Sequence, residues 1–197
     1  MKVQILNILS ICFLSFSAVQ ATELDTVRVL FPNGNLAEIY TVEKGTHSRE
    51  GKGLSYHENG KVGVEANYSK GKLEGVYKTY YQSGILWEQE TYKGGLENGE
   101  SICNYENGLR QTVDVYKDGT LNGLSREWDV MGKLRREIPY KDGFMDGTAR
   151  VYDAQGLISE DIEFVRGRRE GRYHKYNKGI VIQSSEFKNN RCVKGCP

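Results

Sequence analysis

The sequence has little proline, little cysteine and no marked excess of charge of either sign. Only 3 of its 197 residues are proline and 4 are cysteine, while 27 Lys and Arg stand against 26 Asp and Glu. A nucleic-acid-binding protein would normally show a basic excess or stripe, so we expect no nucleic-acid partner. After the first residues no helical periodicity persists. What is abundant is glycine, at 23 residues, and tyrosine, at 13, a mixture typical of many turns joined by aromatic strands.

The first 21 residues have the layout of a secretory signal peptide. A lysine near the start precedes an apolar stretch from Ile5 to Phe16, and Val19 and Ala21 occupy the positions that a signal peptidase reads. The apolar stretch is shorter than the ~20 residues that a membrane anchor needs. Cys12 follows a bulky isoleucine, which disfavours a lipoprotein. We therefore expect residues 1–21 to be removed and the chain to be exported to the periplasm or the extracellular space.

Three cysteines remain after this segment. Cys192 and Cys196 are close in sequence, and an oxidising compartment permits them to close a small terminal disulfide loop. Cys103 is then expected to be a small, half-buried apolar residue. A metal site at the terminal pair would lack a second pair of ligands, and the three histidines show no ligand spacing, so we predict neither a metal nor a cofactor.

An internal repeat of 24 residues dominates the rest of the chain. Three series of glycines and two of aromatic residues follow this period. The first glycine series is 51, 75, 99, 123, 147 and 171; the second is 71, 95, 119, 143 and 167; the third is 60, 84, 108, 132 and 156, followed by 179, which is one residue early. The first aromatic series is Tyr68, Tyr92, Tyr116, Tyr140, Phe164 and Phe187; the second is Tyr56, Tyr80, Trp128, Tyr152 and Tyr176, with Asn104 as the exception.

Each repeat is predicted to be a β-hairpin. Residues 76–81 favour a strand, Gln82-Ser83-Gly84 is a turn, and residues 85–92 form a second strand. A second turn, such as Lys117-Asp118-Gly119, leads to the next hairpin. A lone hairpin is marginal in water, whereas stacked hairpins cover one another. The predicted fold is therefore all-β: an elongated, twisted, antiparallel sheet of about six consecutive hairpin repeats.

Alternation along the second strand of each hairpin predicts one semi-apolar face and one polar face. One side is expected to carry Val62, Val64, Ala66 and Tyr68, with equivalents Leu134, Ile138 and Tyr140, and Ile158, Ile162 and Phe164. The acids Glu88, Glu90, Glu137, Asp161 and Glu163 are expected on the polar side. We divide the chain into a signal peptide (1–21), an entry repeat or cap (22–50), the hairpin array (51–187) and a terminal cap with the cysteine pair (188–197).

The repeat resembles a known family. The pattern Tyr-Lys-x-Gly-x-x-x-Gly-x-x-x-x-Tyr-x-x-x-Gly, seen from Tyr92, Tyr116 and Tyr140 onward, is similar to the bacterial variant of the MORN repeat found in YwqK-like antitoxin proteins. The resemblance spans roughly residues 45–190 and implies the elongated hairpin sheet. It also implies, by analogy with relatives, an antitoxin or immunity protein that binds a toxin; the export signal would direct that role to a toxin acting on the envelope.

Binding is a better expectation for this sequence than catalysis. Regular repeats place equivalent residues in rows rather than in one concave cluster, and no catalytic motif appears. Several aromatic residues lie off the two main series and are candidates for binding a partner, although packing against cross-strand neighbours is the favoured explanation. They are Tyr77, Tyr81, Trp87, Tyr105 and Tyr173. We expect a non-catalytic scaffold that binds another protein; a structural envelope module that associates with a membrane surface or glycan is the alternative.

Overall fold

The computed structural model describes residues 23–196, and the predicted signal peptide lies outside them. Regular structure in the described residues consists of 19 antiparallel strands in one open sheet. The prediction of an all-β sheet built from consecutive hairpins is confirmed. Over the same residues, no helix has the length and apolarity that crossing a membrane requires.

The strands follow one another along the sheet in chain order. They are β1 Leu24–Leu30, β2 Leu36–Glu43, β3 Arg49–Tyr56, β4 Val62–Ser69, β5 Lys72–Leu73, β6 Gly75–Tyr80, β7 Leu86–Lys93, β8 Leu96–Glu97, β9 Gly99–Asn104, β10 Arg110–Lys117, β11 Thr120–Leu121, β12 Gly123–Trp128, β13 Leu134–Lys141, β14 Phe144–Met145, β15 Gly147–Tyr152, β16 Ile158–Val165, β17 Arg168–Asn177, β18 Ile180–Lys188 and β19 Arg191–Lys194.

Each repeat contributes two long strands and one short strand. In the second repeat, β6 pairs with β7, and β7 then pairs with both the short β8 and the following β9. The short strand and the next long strand therefore form one line of the sheet.

Residues 24–43 form a hairpin of the same kind at the beginning of the array, because β1 pairs with β2 across a turn closed by Gly34.

The third glycine series closes three-residue turns. In the second repeat, the Tyr81 N–H donates to the Ile85 carbonyl at 2.9 Å, and the Gly84 N–H donates to the Tyr81 carbonyl at 2.8 Å. Gly84 has a φ of 87°, which a residue without a Cβ adopts at no steric cost. This geometry is a type I turn followed by a left-handed residue, a common three-residue hairpin connection.

The second glycine series closes two-residue turns. Asp118 and Gly119 both have positive φ, at 49° and 76°, as the type I′ turn requires. The last hairpin uses this short turn as well: Lys178 and Gly179 have φ of 49° and 78° and join β17 directly to β18. The missing residue of the sixth repeat is therefore lost from a turn, where the change from three residues to two preserves strand pairing.

The first glycine series and the first aromatic series are cross-strand partners. In the first repeat Gly51 lies opposite Tyr68, and in the second Gly75 lies opposite Tyr92. The same pairing recurs in the later repeats, between residues 99 and 116, 123 and 140, 147 and 164, and 171 and 187. The Tyr68 ring also lies over Gly53, where an added Cβ would approach it to 3.2 Å. At the first-series glycines themselves the φ is positive, and an added Cβ would meet at most the preceding strand, such as Val115 at Gly123, and not the aromatic ring.

The predicted division into one apolar and one polar face is wrong, because a register shift follows each three-residue turn. Ser55 lies opposite Val64, but the next residue, Tyr56, lies opposite Val62. Since Ser55 and Tyr56 point to opposite faces, Val62 belongs with the second aromatic series and not with Val64. The same shift separates Leu134 from Ile138, and Ile158 from Ile162.

Each face therefore carries one aromatic series. We call the face with the Tyr68 series face A and the face with the Tyr56 series face B. Apolar burial is divided between the two: among the described residues only Val42, Ala66, Val113 and Ala149 are buried apolar side chains. With Ala66 on face A and Val113 on face B, the sheet is a single layer whose stability depends on cross-strand and inter-repeat contacts.

Carboxylates at one position of the repeat hydrogen-bond four of the two-residue turns to the preceding repeat. The Glu74 carboxylate accepts a hydrogen bond from the Gly94 N–H at 2.7 Å, and Glu170 accepts one from the Asn189 N–H at 2.7 Å. Glu50 and Asp146 accept equivalent bonds from Lys70 and Arg166. These acceptors stand 24 residues apart or at multiples of 24, so the period encodes this contact as well.

Replacing Glu74 by alanine tests this tie. We expect Glu74→Ala to lower the free energy of unfolding by about 1 kcal/mol, because one charge-assisted hydrogen bond is lost at an exposed site where water replaces part of it. Glu74→Gln keeps an acceptor and should lose less than half as much. Urea unfolding followed by circular dichroism measures both, and equal stability of the alanine variant and the parent would contradict the assignment.

Candidate functional site

Face B carries a row of alternating charges whose members pair with one another. Arg126 lies opposite Glu137, with Nε 3.1 Å from Oε1. Further along the row, His174 Nδ1 lies 2.9 Å from an oxygen of Asp161. The second aromatic series reinforces the row, because the Tyr152 hydroxyl donates to Glu137 and the Tyr176 hydroxyl donates to Asp161, both at 2.7 Å.

Two acids of face B, Glu137 and Glu163, are consequently stabilised in their charged form. The hydrogen bond from Tyr152, together with Arg126, holds the pKa of Glu137 below its ordinary value. The Arg172 backbone and guanidinium do the same to the pKa of Glu163, which Arg172 contacts at 2.8 Å. This row of face B thus satisfies its own acids, which leaves them little electrostatic attraction for a partner.

Face A contains an acidic patch, which we define as Glu88, Glu90, Glu97 and Asp114. The register places these carboxylates on neighbouring strands: Glu88 opposite Thr79 and Cys103, Glu90 opposite Tyr77, Glu97 opposite Tyr92, and Asp114 opposite Ser101. None of the ion pairs within residues 23–196 includes any of them. The expectation that Glu88 and Glu90 share a side with Glu137 and Asp161 is wrong, since the two pairs lie on opposite faces.

Two acids of this patch, Glu88 and Glu97, are destabilised in their charged form. Burial and the neighbouring Glu90 raise the pKa of Glu88. Burial, with Glu90 and Glu88 as neighbours, also raises the pKa of Glu97. The Tyr92 hydroxyl donates to Glu90 at 2.7 Å, and burial together with this bond raises the pKa of Tyr92. Beside the patch, the Thr79 hydroxyl oxygen is buried without a hydrogen-bond partner among the described residues.

Trp87 and Tyr81 stack beside the acidic patch, with ring centroids 5.7 Å apart. Trp87 is 45% exposed, whereas the Tyr81 hydroxyl donates to the Asn104 carbonyl of the next repeat at 2.8 Å. Tyr105, one period after Tyr81, donates in the same way to the Trp128 carbonyl at 2.9 Å. Two of the predicted partner-binding tyrosines therefore have a structural contact that joins successive repeats.

The remaining two predicted binding residues are half-buried on face A. Tyr77 packs edge-on against Tyr92, with centroids 5.9 Å apart, and Tyr173 packs edge-on against Phe187 at 6.3 Å. Tyr77 lies close to the acidic patch, but Tyr173 lies several repeats away along the sheet. The five aromatic residues thus do not form one surface: four gather around the second and third repeats, and Tyr173 is separate.

The cysteines and histidines of the described residues have no catalytic arrangement. Cys192 and Cys196 form a disulfide. Burial and Glu88 raise the pKa of the Cys103 thiol, against a hydrogen bond from Trp87, which disfavours a thiolate nucleophile. His57 contacts the Tyr80 carbonyl at 2.9 Å, so it has the same inter-repeat role as Tyr81.

Surface grooves and metal ligands give no alternative site. Across residues 23–196 no group of three or more His, Cys, Asp or Glu is arranged to hold a metal ion. A groove of about 830 Å³ runs along the two-residue turns of the last repeats, between Phe144, Arg166 and Arg168. Of its carboxylates, Asp146 and Glu170 already accept hydrogen bonds from the backbone of Arg166 and Asn189, and the groove lies several repeats away from the acidic patch.

The comparison with known families agrees with this geometry. A family model described as a MORN repeat variant matches residues 49–70 and 73–93. These two segments are adjacent repeats: the first contains β3 and β4, and the second contains β6 and β7. No curated protein matches the chain. The matched repeats support a repeat scaffold module, a class of all-β fold that is generally non-catalytic.

The acidic patch makes a prediction for stability against pH. Because the folded pKa of Glu88 is raised, its charged form opposes folding above that pKa, and this penalty disappears as the pH falls through it. Glu88→Gln should therefore raise the free energy of unfolding at pH 7 by roughly 0.5 kcal/mol, the scale of a cross-strand charge pair. The gain should vanish near pH 4, where both side chains are neutral.

Urea unfolding of both proteins at several pH values measures this difference. Glu100→Gln, which removes the same charge from an exposed position on face B of the same repeats, is the matched control and should change stability little. Destabilisation by Glu88→Gln at pH 7 would show that the carboxylate has a favourable partner in the fold.

Proposed function

We propose that this chain is a non-catalytic, exported repeat scaffold that binds another protein through face A of its second and third repeats. The observation that carries the proposal is the acidic patch: four carboxylates with no cation among them, next to an exposed tryptophan. Face B pairs Glu137, Asp161 and Glu163 within the sheet, whereas face A leaves Glu88, Glu90, Glu97 and Asp114 for a charge from outside.

The patch favours a partner that presents lysine or arginine side chains. Such a cation would relieve the repulsion between Glu88 and Glu90, and it would contact the stacked rings of Trp87 and Tyr81, which attract cations through their π-faces. The unpartnered Thr79 hydroxyl lies opposite Glu88 in the same row. An anionic membrane surface is disfavoured at this patch, because carboxylates and anionic head groups repel each other.

Neutralisation of an envelope-acting toxin is the particular role we propose for this surface. The resemblance to antitoxin and immunity repeat proteins and the signal-peptide pattern of residues 1–21 support it. A rigid sheet needs no active site for such a role, since covering the toxin's functional surface is sufficient. A basic surface on the toxin would fit the acidic patch.

Affinity capture from envelope extracts of the source organism tests the proposal. The parent protein should retain one partner in stoichiometric amount, and a Trp87→Ala, Glu88→Gln, Glu90→Gln triple variant should lose it. Tyr81 and Tyr105 are left intact because their hydroxyls hold successive repeats together. The matched control, Glu65→Gln and Glu100→Gln on face B, should retain the partner; circular dichroism and thermal unfolding confirm that every variant is folded.

The same proteins should be mixed with anionic lipid vesicles and with peptidoglycan and sedimented. We expect no co-sedimentation above the control. Saturable sedimentation with either material, in the absence of a protein partner, would contradict protein binding and favour a structural envelope module.

A further inference from the structure

The two-residue turns that follow the Tyr68 series line up along one margin of the sheet. On face B, the residue before each of these turns lies opposite the residue after it, and we call the residues of these cross-strand pairs the turn row. The pairs are Ser69 with Lys72, Lys93 with Leu96, Lys117 with Thr120, Lys141 with Phe144, Val165 with Arg168, and Lys188 with Arg191.

The charges of the turn row are all of one sign. Every pair contains at least one lysine or arginine, and none contains an acid. These lysine and arginine residues are exposed, and none of them takes part in an ion pair among residues 23–196. The balanced charge of the whole chain therefore conceals a row of cations that extends over every repeat.

Acids near the turn row do not interrupt it. The carboxylates that follow the turns already accept hydrogen bonds from backbone N–H groups of the next turn. Glu100, Glu163 and Glu186 lie one pair further into face B, so the turn row is the outer border of that face. At the turn tips, cations and acids balance in number: Lys70 and Arg166 against Asp118 and Asp142.

Three exposed apolar side chains lie among the cations of the turn row. Leu96, Phe144 and Val165 are 52%, 56% and 50% exposed. Leu96 lies beside Gly119 of the next turn, and Phe144 lies beside Gly167, so these side chains occupy the space between successive turns. The groove beside Phe144 is one segment of this row. A partner for this surface therefore needs both anionic and apolar groups.

The turn row is long, narrow and wound. Successive turns are two strands apart, which is about 10 Å, and a twist of about 20 to 25° between neighbouring strands rotates each turn by roughly 45° from the one before it. A flat membrane surface could therefore contact only neighbouring turns, whereas a flexible chain can follow the whole row. An extended polypeptide rises about 3.3 Å per residue, so every third residue reaches the next turn.

We propose that the turn row binds an extended acidic segment of another polypeptide, with Asp or Glu at about every third residue and apolar residues between them. The acids meet successive lysine and arginine side chains, and the apolar residues cover Leu96, Phe144 and Val165. An anionic glycan fits less well, because its hydroxyl groups need hydrogen-bond acceptors and the row contains no carboxylate or amide. Since the acidic patch lies on face A, this interaction does not depend on the proposed function.

Fluorescence anisotropy with labelled synthetic peptides tests this surface. The probe is a peptide of about 15 residues built from the repeat Asp-Leu-Ser, which is long enough to span most of the row. A second peptide of the same composition has its aspartates in one block. At low salt we expect micromolar binding of the first peptide, at least about threefold tighter than that of the second, and weaker binding as salt screens the exposed charges.

The triple variant Lys117→Gln, Lys141→Gln, Arg168→Gln should bind the spaced peptide at least about tenfold more weakly, because the charge contacts of three neighbouring turns are lost. The Trp87, Glu88 and Glu90 triple variant described above should bind it as the parent does, which separates this interaction from the proposed function. Circular dichroism and thermal unfolding establish that each variant is folded.

The matched control removes the same number of charges from exposed positions outside the row, with Arg28→Gln, Lys175→Gln and Lys178→Gln, and should change the affinity less than about twofold. No binding of the spaced peptide at low salt, an equal loss in both variants, or tighter binding of the block peptide would each overturn the proposal. Equal or tighter binding of single-stranded oligothymidylate or of anionic phosphatidylglycerol vesicles would overturn it as well, in favour of a nucleic acid or a membrane.

Discussion

The pairing of a glycine with an aromatic ring across two strands is the contact on which the rest of this sheet depends. A single-layer sheet has no second layer to supply a core, so each ring must be buried against the backbone and side chains of its own face. The glycine opposite each ring has a positive φ in all six repeats, which glycine adopts at no steric cost, and the 24-residue period repeats this pair in every unit. Side-chain hydrogen bonds beside the two-residue turns and beside the three-residue turns then hold successive repeats in one register.

A single layer also has two faces that can differ completely in their electrostatics. On face B, arginine, acid and histidine side chains alternate along a row, and tyrosine hydroxyls donate to the acids. On face A, the corresponding rows of the second and third repeats contain acids, hydroxyls and one thiol. The backbone contacts are the same in every repeat, so the side chains in these rows can differ from one repeat to the next. A partner-specific surface can therefore arise there without destabilising the fold.

The sequence was sufficient to predict the architecture because turns, glycines and aromatic rings keep a fixed spacing. It even located the missing residue near Gly179, although only the geometry shows that a three-residue turn became a two-residue one. The faces could not be predicted, since a register shift after each turn moves Val62, Leu134 and Ile158 to the opposite side. The opposite faces of Glu88 and Glu137, by contrast, could have been predicted, because Glu88 lies four residues before Tyr92 and Glu137 only three before Tyr140; that one lacks a cation and the other has Arg126 depends on contacts. The exposed position of Trp87 and the structural roles of Tyr81 and Tyr105 likewise depend on contacts between repeats.

The most direct test of this account is the titration of the individual carboxyl groups by carbon-detected NMR. The account predicts that Glu88 and Glu97 titrate above the ordinary range for glutamate, while Glu137 and Glu163 titrate below it. Glu88 and Glu97 pKa values at or below the ordinary range would show that face A already neutralises its own acids, and would remove the reason for placing a partner there.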